Sequence, residues 1–291
     1  MPGPNDRPAD AVRAVRIRRW AEATGTVAGD EDVVAAEEPC ELRIEYSDTK
    51  TGLRVGRILA VTMRTPGADA ELIRGFLLTE GLLPEGGASL ESVNCGDPGD
   101  PQTRNRVTAV LAPGLSVDSK RLERNFYMTS SCGVCGKASL EALKFNGCPV
   151  LPKGEPVWPA AVLRGLPDAL RDAQAAFVAT GGIHAAGLFD AAGDCRALRE
   201  DVGRHNAVDK VIGHALTVPE ITLSASLLMV SGRSSFEILQ KALAAGIPAV
   251  AAIGAPSSLA VETATAFGST LIGFLRHDRF NIYAGPERVG S

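Results

Sequence analysis

Aromatic side chains are scarce in this chain: two Trp, three Tyr and nine Phe among 291 residues, 5% in all. A core with so few rings has to be packed from Ala, Val and Leu, in elements that approach one another closely. Long apolar runs are also missing. No stretch reaches the roughly 18 residues of a membrane-spanning helix. The opening Met1-Pro2-Gly3-Pro4-Asn5-Asp6 has neither the basic nor the apolar part of a signal peptide. Arg18-Arg19 runs into Trp20-Ala21-Glu22, which excludes a twin-arginine signal. There is no excess of positive charge: 30 basic residues face 34 acidic ones, for a net charge of −4. General nucleic-acid binding is therefore not expected, and neither is a membrane location. Six cysteines in so long a chain without a targeting segment point to reduced thiols in the cytoplasm.

What is present supports a sizeable core. The hydrophobic fraction is 45% and mean hydropathy is +0.07, enough for one large domain or two moderate ones. Residues 1–38 read as a flexible arm, with a possible edge strand at 12–20 where apolar and basic residues nearly alternate. Residues 39–115 read as a small β-rich α+β lobe. Within it, Leu42, Ile44 and Tyr46 alternate with charges, Val55 to Met63 forms a second strand, and a helix runs from Asp69 to Gly81. Residues 94–103 read as a loop, and 107–111 as a third strand. From 116 to 291 the pattern is α/β. Pro159 starts a helix, Ile183 to Phe189 is a strand, and 204–216 is helical. Two strand–loop–helix units follow at 227–245 and 248–267, then another apolar run at 270–274. Such units imply parallel strands with right-handed crossovers and helices on both faces, an α/β sandwich.

Five features carry chemistry. Ser131-Cys132-Gly133-Val134-Cys135-Gly136 sets two thiols three positions apart before a helix expected at 137–143. A helix start favours thiolate over thiol. The pair is a reactive loop, a structural disulfide or half of a zinc site. The loops Ser231-Gly232-Arg233-Ser234-Ser235 and Ser257-Ser258 fall where strands end and helices begin, where phosphate binds; otherwise they are capped helices with solvated serines. Neither contains the Gly-Lys-Ser/Thr of a Walker loop. In Glu200-Asp201-Val202-Gly203-Arg204-His205-Asn206-Ala207-Val208-Asp209-Lys210, the Asp201, Arg204 and His205 side chains are suited to grip an anion or orient a thiol. Alternatively Glu200 or Asp201 caps the next helix and Arg204 or Lys210 is a solvated charge. His184 is a packed or a catalytic histidine. Arg276 and Arg279 are candidates for a phosphate and Phe274 for a stacked ring, or they form a surface turn.

These segments, with Gly181-Gly182-Ile183-His184-Ala185-Ala186, Arg64-Thr65-Pro66-Gly67 and Gly75-Phe76-Leu77-Leu78-Thr79-Glu80-Gly81, resemble the FdhD family from about residue 38 to the end. The eleven-residue block at 200–210 is the most specific part. The resemblance implies a sulfur carrier, a sulfurtransferase with a cysteine persulfide intermediate, acting in molybdenum cofactor biosynthesis. Sulfur would come from a cysteine desulfurase and pass to the molybdenum (or tungsten) bis-guanine-dinucleotide cofactor before insertion into formate dehydrogenase. Cys132 would hold the persulfide and Cys135 would assist. Phe274, Leu275, Arg276, His277, Asp278 and Arg279 would form the cofactor-binding segment, with Ser231, Gly232, Arg233, His184, Arg204 and His205 around it. No permanently bound metal is implied. The family fold is similar to cytidine deaminases, an α/β core with a mixed sheet sandwiched by helices, and its members are homodimers. Rival readings are a zinc-dependent deaminase-like hydrolase, a thioredoxin-like protein, and a non-catalytic chaperone for a nucleotide cofactor. The deaminase pattern needs His-x-Glu followed by Pro-Cys-x-x-Cys. Here Ala186 stands where the Glu belongs, and no proline precedes Cys132.

Overall fold

Alternating side chains organise the first third of the molecule. In the computed structural model, which describes residues 11–21, 25–48, 51–83, 89–115, 117, 148 and 150–291, β1 (Val12–Ala21) and β2 (Gly25–Ala35) form an antiparallel hairpin. The arm expected over residues 1–38 is thus β structure at 12–21 and 25–35, and the strand expected at 12–20 is the first of the two strands. The hairpin holds because a basic strand meets an acidic one: Arg16 lies opposite Glu31, and Arg19 pairs with Asp30 at 2.8 Å. The acidic run Asp30-Glu31-Asp32 hides β2 from a hydrophobic pattern search.

Next comes a four-stranded sheet in the order β4-β3-β6-β5, from β3 (Glu38–Ser47), β4 (Arg54–Arg64), β5 (Leu90–Cys95) and β6 (Arg106–Leu111). Strand β3 buries every second side chain: Cys40, Leu42, Ile44 and Tyr46. They pack with Leu72, Ile73 and Leu77 of α1 (Asp69–Thr79). Strand β5 begins ahead of the loop expected at 94–103.

The remainder is a mixed six-stranded sheet, in the order β13-β12-β11-β10-β8-β9. Its members are β8 (His184–Phe189), β9 (Cys195–Asp201), β10 (Leu227–Val230), β11 (Ala249–Ala252), β12 (Thr270–Gly273) and β13 (Asn281–Ala284). Strands β10, β11 and β12 are parallel, and β8 and β13 flank them antiparallel. The short two-residue strands β7 (Trp158–Pro159) and β14 (Val289–Gly290) pair apart from this sheet. Leu228, Val230, Val250 and Ala252 face α4 (Arg204–Ala215), α5 (Phe236–Ala244) and α6 (Ser258–Phe267). Leu227, Met229, Ala249 and Ala251 face α2 (Ala160–Asp172), which is followed by the short α3 (Ala175–Thr180). The two crossover helices, α5 and α6, therefore share one face instead of covering both. Right-handed crossovers that step in one direction along a sheet deposit their helices on one side. The other side is closed by α2, from outside the repeat.

The two sheets are joined where α1 crosses α4. A Cβ at Gly75 would lie 1.8 Å from the carbonyl oxygen of Asp209, and one at Gly213 would lie 1.8 Å from that of Glu71. Only glycine permits so close an approach, and both obstacles are backbone. Replacing Gly75 with Ala should cost about 2–4 kcal/mol of unfolding free energy through overpacking. Urea denaturation of the variant checks this; a loss below about 0.5 kcal/mol would mean that the helices can part without cost.

Candidate functional site

The block at 200–210 divides its work. Asp201 is wholly buried, and its carboxylate accepts from four donors: Gly203 N at 2.8 Å, Asn206 Nδ2 at 3.1 Å, Thr65 N at 3.1 Å and Lys210 Nζ at 2.7 Å. Lys210 Nζ also donates to Thr65 O at 2.7 Å, and Val202 N donates to Thr65 Oγ1 at 3.1 Å. Asn206 Nδ2 reaches Met63 O at 2.7 Å. One turn further along α4, Asp209 pairs with Lys241 of α5 at 2.9 Å and accepts from Thr79 Oγ1 at 2.8 Å. These residues bind the first sheet to the second. Glu200 turns the other way and accepts from Ala176 N and Phe177 N, both at 2.8 Å, capping α3. Arg204 and His205 are left at the first turn of α4, half-buried beside the strand ends.

Those strand ends form a laced rim. Ser231 N donates to Ala185 O at 3.0 Å, and Ser231 Oγ accepts from Ala185 N at 2.9 Å, tying the loop after β10 to β8. Gly254 N donates to Gly232 O at 2.9 Å, Phe274 N to Gly254 O at 3.1 Å, and Ser257 N to Ser234 O at 3.0 Å. A Cβ at Gly232 would come within 3.5 Å of His184 Nδ1, so the imidazole lies over that glycine. The structure therefore gathers His184, Ser231, Gly232, Arg233 and the segment 274–279 around one end of the sheet. Phe274 is 44% exposed, with a left-handed φ of 50°. Arg276, His277, Asp278 and Arg279 are also exposed. Arg276 Nη1 donates to Ile253 O at 2.8 Å. Leu275 is the exception in this segment. Its side chain is 0% exposed and packs in the core under the sheet, because the amide of Leu275 continues the ladder to Ala252 O at 3.1 Å. Leu275 anchors the segment from below and offers no side-chain atom to a ligand.

The electrostatics favour a polar ligand that carries negative charge. Burial, with Arg204 and Lys241 beside it, pushes the His205 imidazole down to about 4 against the pull of Glu237 and Glu80. Burial and Arg204 also hold His184 below its ordinary value. Both rings are thus neutral at pH 7, and the fixed cations are Arg204, Arg233, Arg276 and Arg279. Burial raises Asp209 to about 6 although Lys241 stands beside it. Glu237, in the first turn of α5, escaped the sequence reading. Burial alone would raise its carboxyl, but the Ser235 hydroxyl, its own N–H, His205 and Arg204 bring it below the usual range. Its one legible signal was the spacing to Lys241, four residues on.

Cys132 and Cys135, and the helix expected at 137–143, lie outside the described residues. Their segment leaves from Val117, buried in the core of the first sheet, and returns at Cys148, which packs against the cluster of Leu151, Leu243 and Phe267 together with Phe236 at the start of α5. The described cysteines are poor nucleophiles. Burial pushes Cys40 up to about 12 and Cys148 to about 11, and raises Cys95 and Cys195 as well.

A mixed sheet with three helix N-termini meeting a basic, serine-lined rim defines an α/β protein whose strand ends are chemically suited to an anionic ligand. Comparison with known proteins carries this further. The model of the FdhD/NarQ family matches residues 36–290. A sulfur carrier protein FdhD of Streptomyces coelicolor is 46% identical over 288 residues, covering 95% of this chain and 94% of the relative. That of Mycobacterium tuberculosis is 48% identical over 264 residues, covering 89% and 92%. The crystal structure of a candidate formate dehydrogenase accessory protein from Desulfotalea psychrophila superposes with a TM-score of 0.71 at 22% identity, covering 96% of this chain and 99% of that one. The chain belongs to the FdhD/NarQ family.

The depressed value of His205 has a consequence for stability. An imidazole near 4 in the folded state and near 6.5 when unfolded contributes stability that is fully present above pH 6.5 and lost as the pH falls towards 4. The gap in stability between the wild type and His205→Gln should therefore shrink as the pH drops through that window. Urea midpoints taken at steps from pH 7 to 4 measure it, and parallel curves would refute it.

Proposed function

We propose that this protein is a sulfur carrier in the maturation of formate dehydrogenase, with the rim at the ends of β10, β11 and β12 as the seat of the sulfur acceptor. What supports this most directly is the match of nearly the whole chain, at 46–48% identity, to proteins named as sulfur carriers. The rim suits that role. Serine hydroxyls, arginines and helix starts converge on one sheet end, as a pyrophosphate-bearing ligand requires. The acceptor in this reading is the molybdenum (or tungsten) bis-guanine-dinucleotide cofactor, which is the protein's substrate. Phe274 stacks on its guanine, Arg233 and Arg279 hold its phosphates, and His184 and Arg204 line its approach.

Cys132 is the carrier. Its thiolate attacks the outer sulfur of a desulfurase persulfide, forming one S–S bond and releasing the desulfurase thiolate. The acceptor then attacks the outer sulfur with an electron pair of its own, so that the new bond to sulfur forms as the S–S bond breaks and Cys132 leaves as thiolate; the sulfur is reduced by two electrons and the acceptor oxidised by two. Cys135 assists as the neighbouring thiol. The raised values of the described cysteines support this choice by leaving the pair at 132 and 135 for the chemistry. The protein works in the cytoplasm as a homodimer with a deaminase-like core, and it meets formate dehydrogenase after loading.

Incubation with a cysteine desulfurase and cysteine should add the mass of one sulfur atom to the peptide holding Cys132. Cys132→Ala should bind guanosine diphosphate normally yet fail to restore formate dehydrogenase activity in a strain lacking the gene; restoration by this variant would rule out the carrier role. Separately, Arg233→Ala and Arg279→Ala should each weaken guanosine diphosphate binding by roughly five- to twentyfold. Calorimetric titration measures this, and unchanged affinity in both would move the phosphates elsewhere.

A further inference from the structure

The rim carries a carboxylate where a phosphate site would be expected to exclude one. Strand β9 runs antiparallel to β8, and β8 runs antiparallel to β10, so the helices that follow β9 and β10 set out in the same direction. These helices, α4 and α5, touch each other. Lys241 of α5 meets Asp209 of α4 at 2.9 Å. One helical turn towards both N-termini, Glu237 therefore faces His205 and its neighbour Arg204. Glu237 is exposed.

The start of α5 also differs from that of α6. In α6, Ser257 Oγ closes the N-terminus by accepting from Ala260 N at 3.2 Å. In α5, Ser235 makes no such cap. The preceding Ser234 is 0% exposed, and its hydroxyl has no hydrogen-bond partner among the described residues. A buried hydroxyl without a partner costs free energy unless something else completes it. A phosphate oxygen beside it would do so, and would meet the free amides of the first turn.

We propose that Glu237 is a built-in competitor for the ligand's phosphate: its carboxylate, beside Ser235 and Arg204, guards the place at the start of α5, next to Ser234, that a diphosphate takes when it binds. The inference rests on the rim being a phosphate site, as proposed above. The resident carboxylate keeps the empty rim from filling with stray anions, and it swings out only for a ligand that offers further contacts.

Calorimetric titration of the full chain with guanosine diphosphate, pyrophosphate and guanosine tests this. Glu237→Gln and Glu237→Ala should bind guanosine diphosphate and pyrophosphate roughly three- to tenfold more tightly than the wild type, with guanosine unchanged. Ser234→Ala should bind both phosphates more weakly. Equal or weaker phosphate binding in the two Glu237 variants would overturn the proposal. So would weaker guanosine binding, which would make Glu237 a reader of the base, and so would wild-type affinity in Ser234→Ala. If neither the wild type nor any variant binds guanosine diphosphate, the phosphate rim itself falls, and the competitor with it.

Discussion

Everything near the rim hangs on one buried carboxylate. Asp201 is excluded from water, a condition that would ordinarily neutralise it or unfold its surroundings. It stays acceptable because a lysine and three N–H donors converge on it from both sheets. The desolvation of such a pair can exceed its attraction, so its worth lies in geometry more than in net stability. The carboxylate fixes the turn at Gly203, sets where α4 begins, and ties Thr65 of the first sheet to that turn. Asp209 with Lys241 repeats the device one turn along, and the glycine crossing of α1 with α4 lets the two bodies come close enough for both contacts to form.

The electrostatic character of the rim follows from this arrangement. Histidines that could have carried charge are neutral because they are buried and because Arg204, joined at His205 by Lys241, stands beside them. Positive charge is left to the guanidinium groups, which do not titrate and can bind phosphate with two hydrogen bonds. A sulfur carrier gains from such a division. In the function proposed above, the acceptor would meet groups whose charge does not vary with pH, and the raised values of Cys40, Cys95, Cys148 and Cys195 would keep those thiols from competing.

Period and composition made much of this legible in advance. The strands at 227–230, 249–252 and 270–273 show as apolar runs because both their faces are covered, and β3 shows by its alternation. The serine loops and the block at 200–210 stood out by residue type. Less visible was whatever depends on partners distant in sequence. Strand β2 is acidic and is paid for by the basic strand opposite. Glu200 caps a helix that precedes it in the chain, and Asp209 and Lys210 look like surface charges until their buried partners at Thr79, Lys241 and Thr65 are known. Leu275 reads as one letter of a binding segment, yet its hydrocarbon belongs to the core.

Leu275 also decides how the outer lip can change over time. Its neighbours stand in solvent, and a single aliphatic peg driven into the sheet keeps them in place. Exchanging an exposed side chain beyond the peg therefore changes what the lip presents while its foundation stays put.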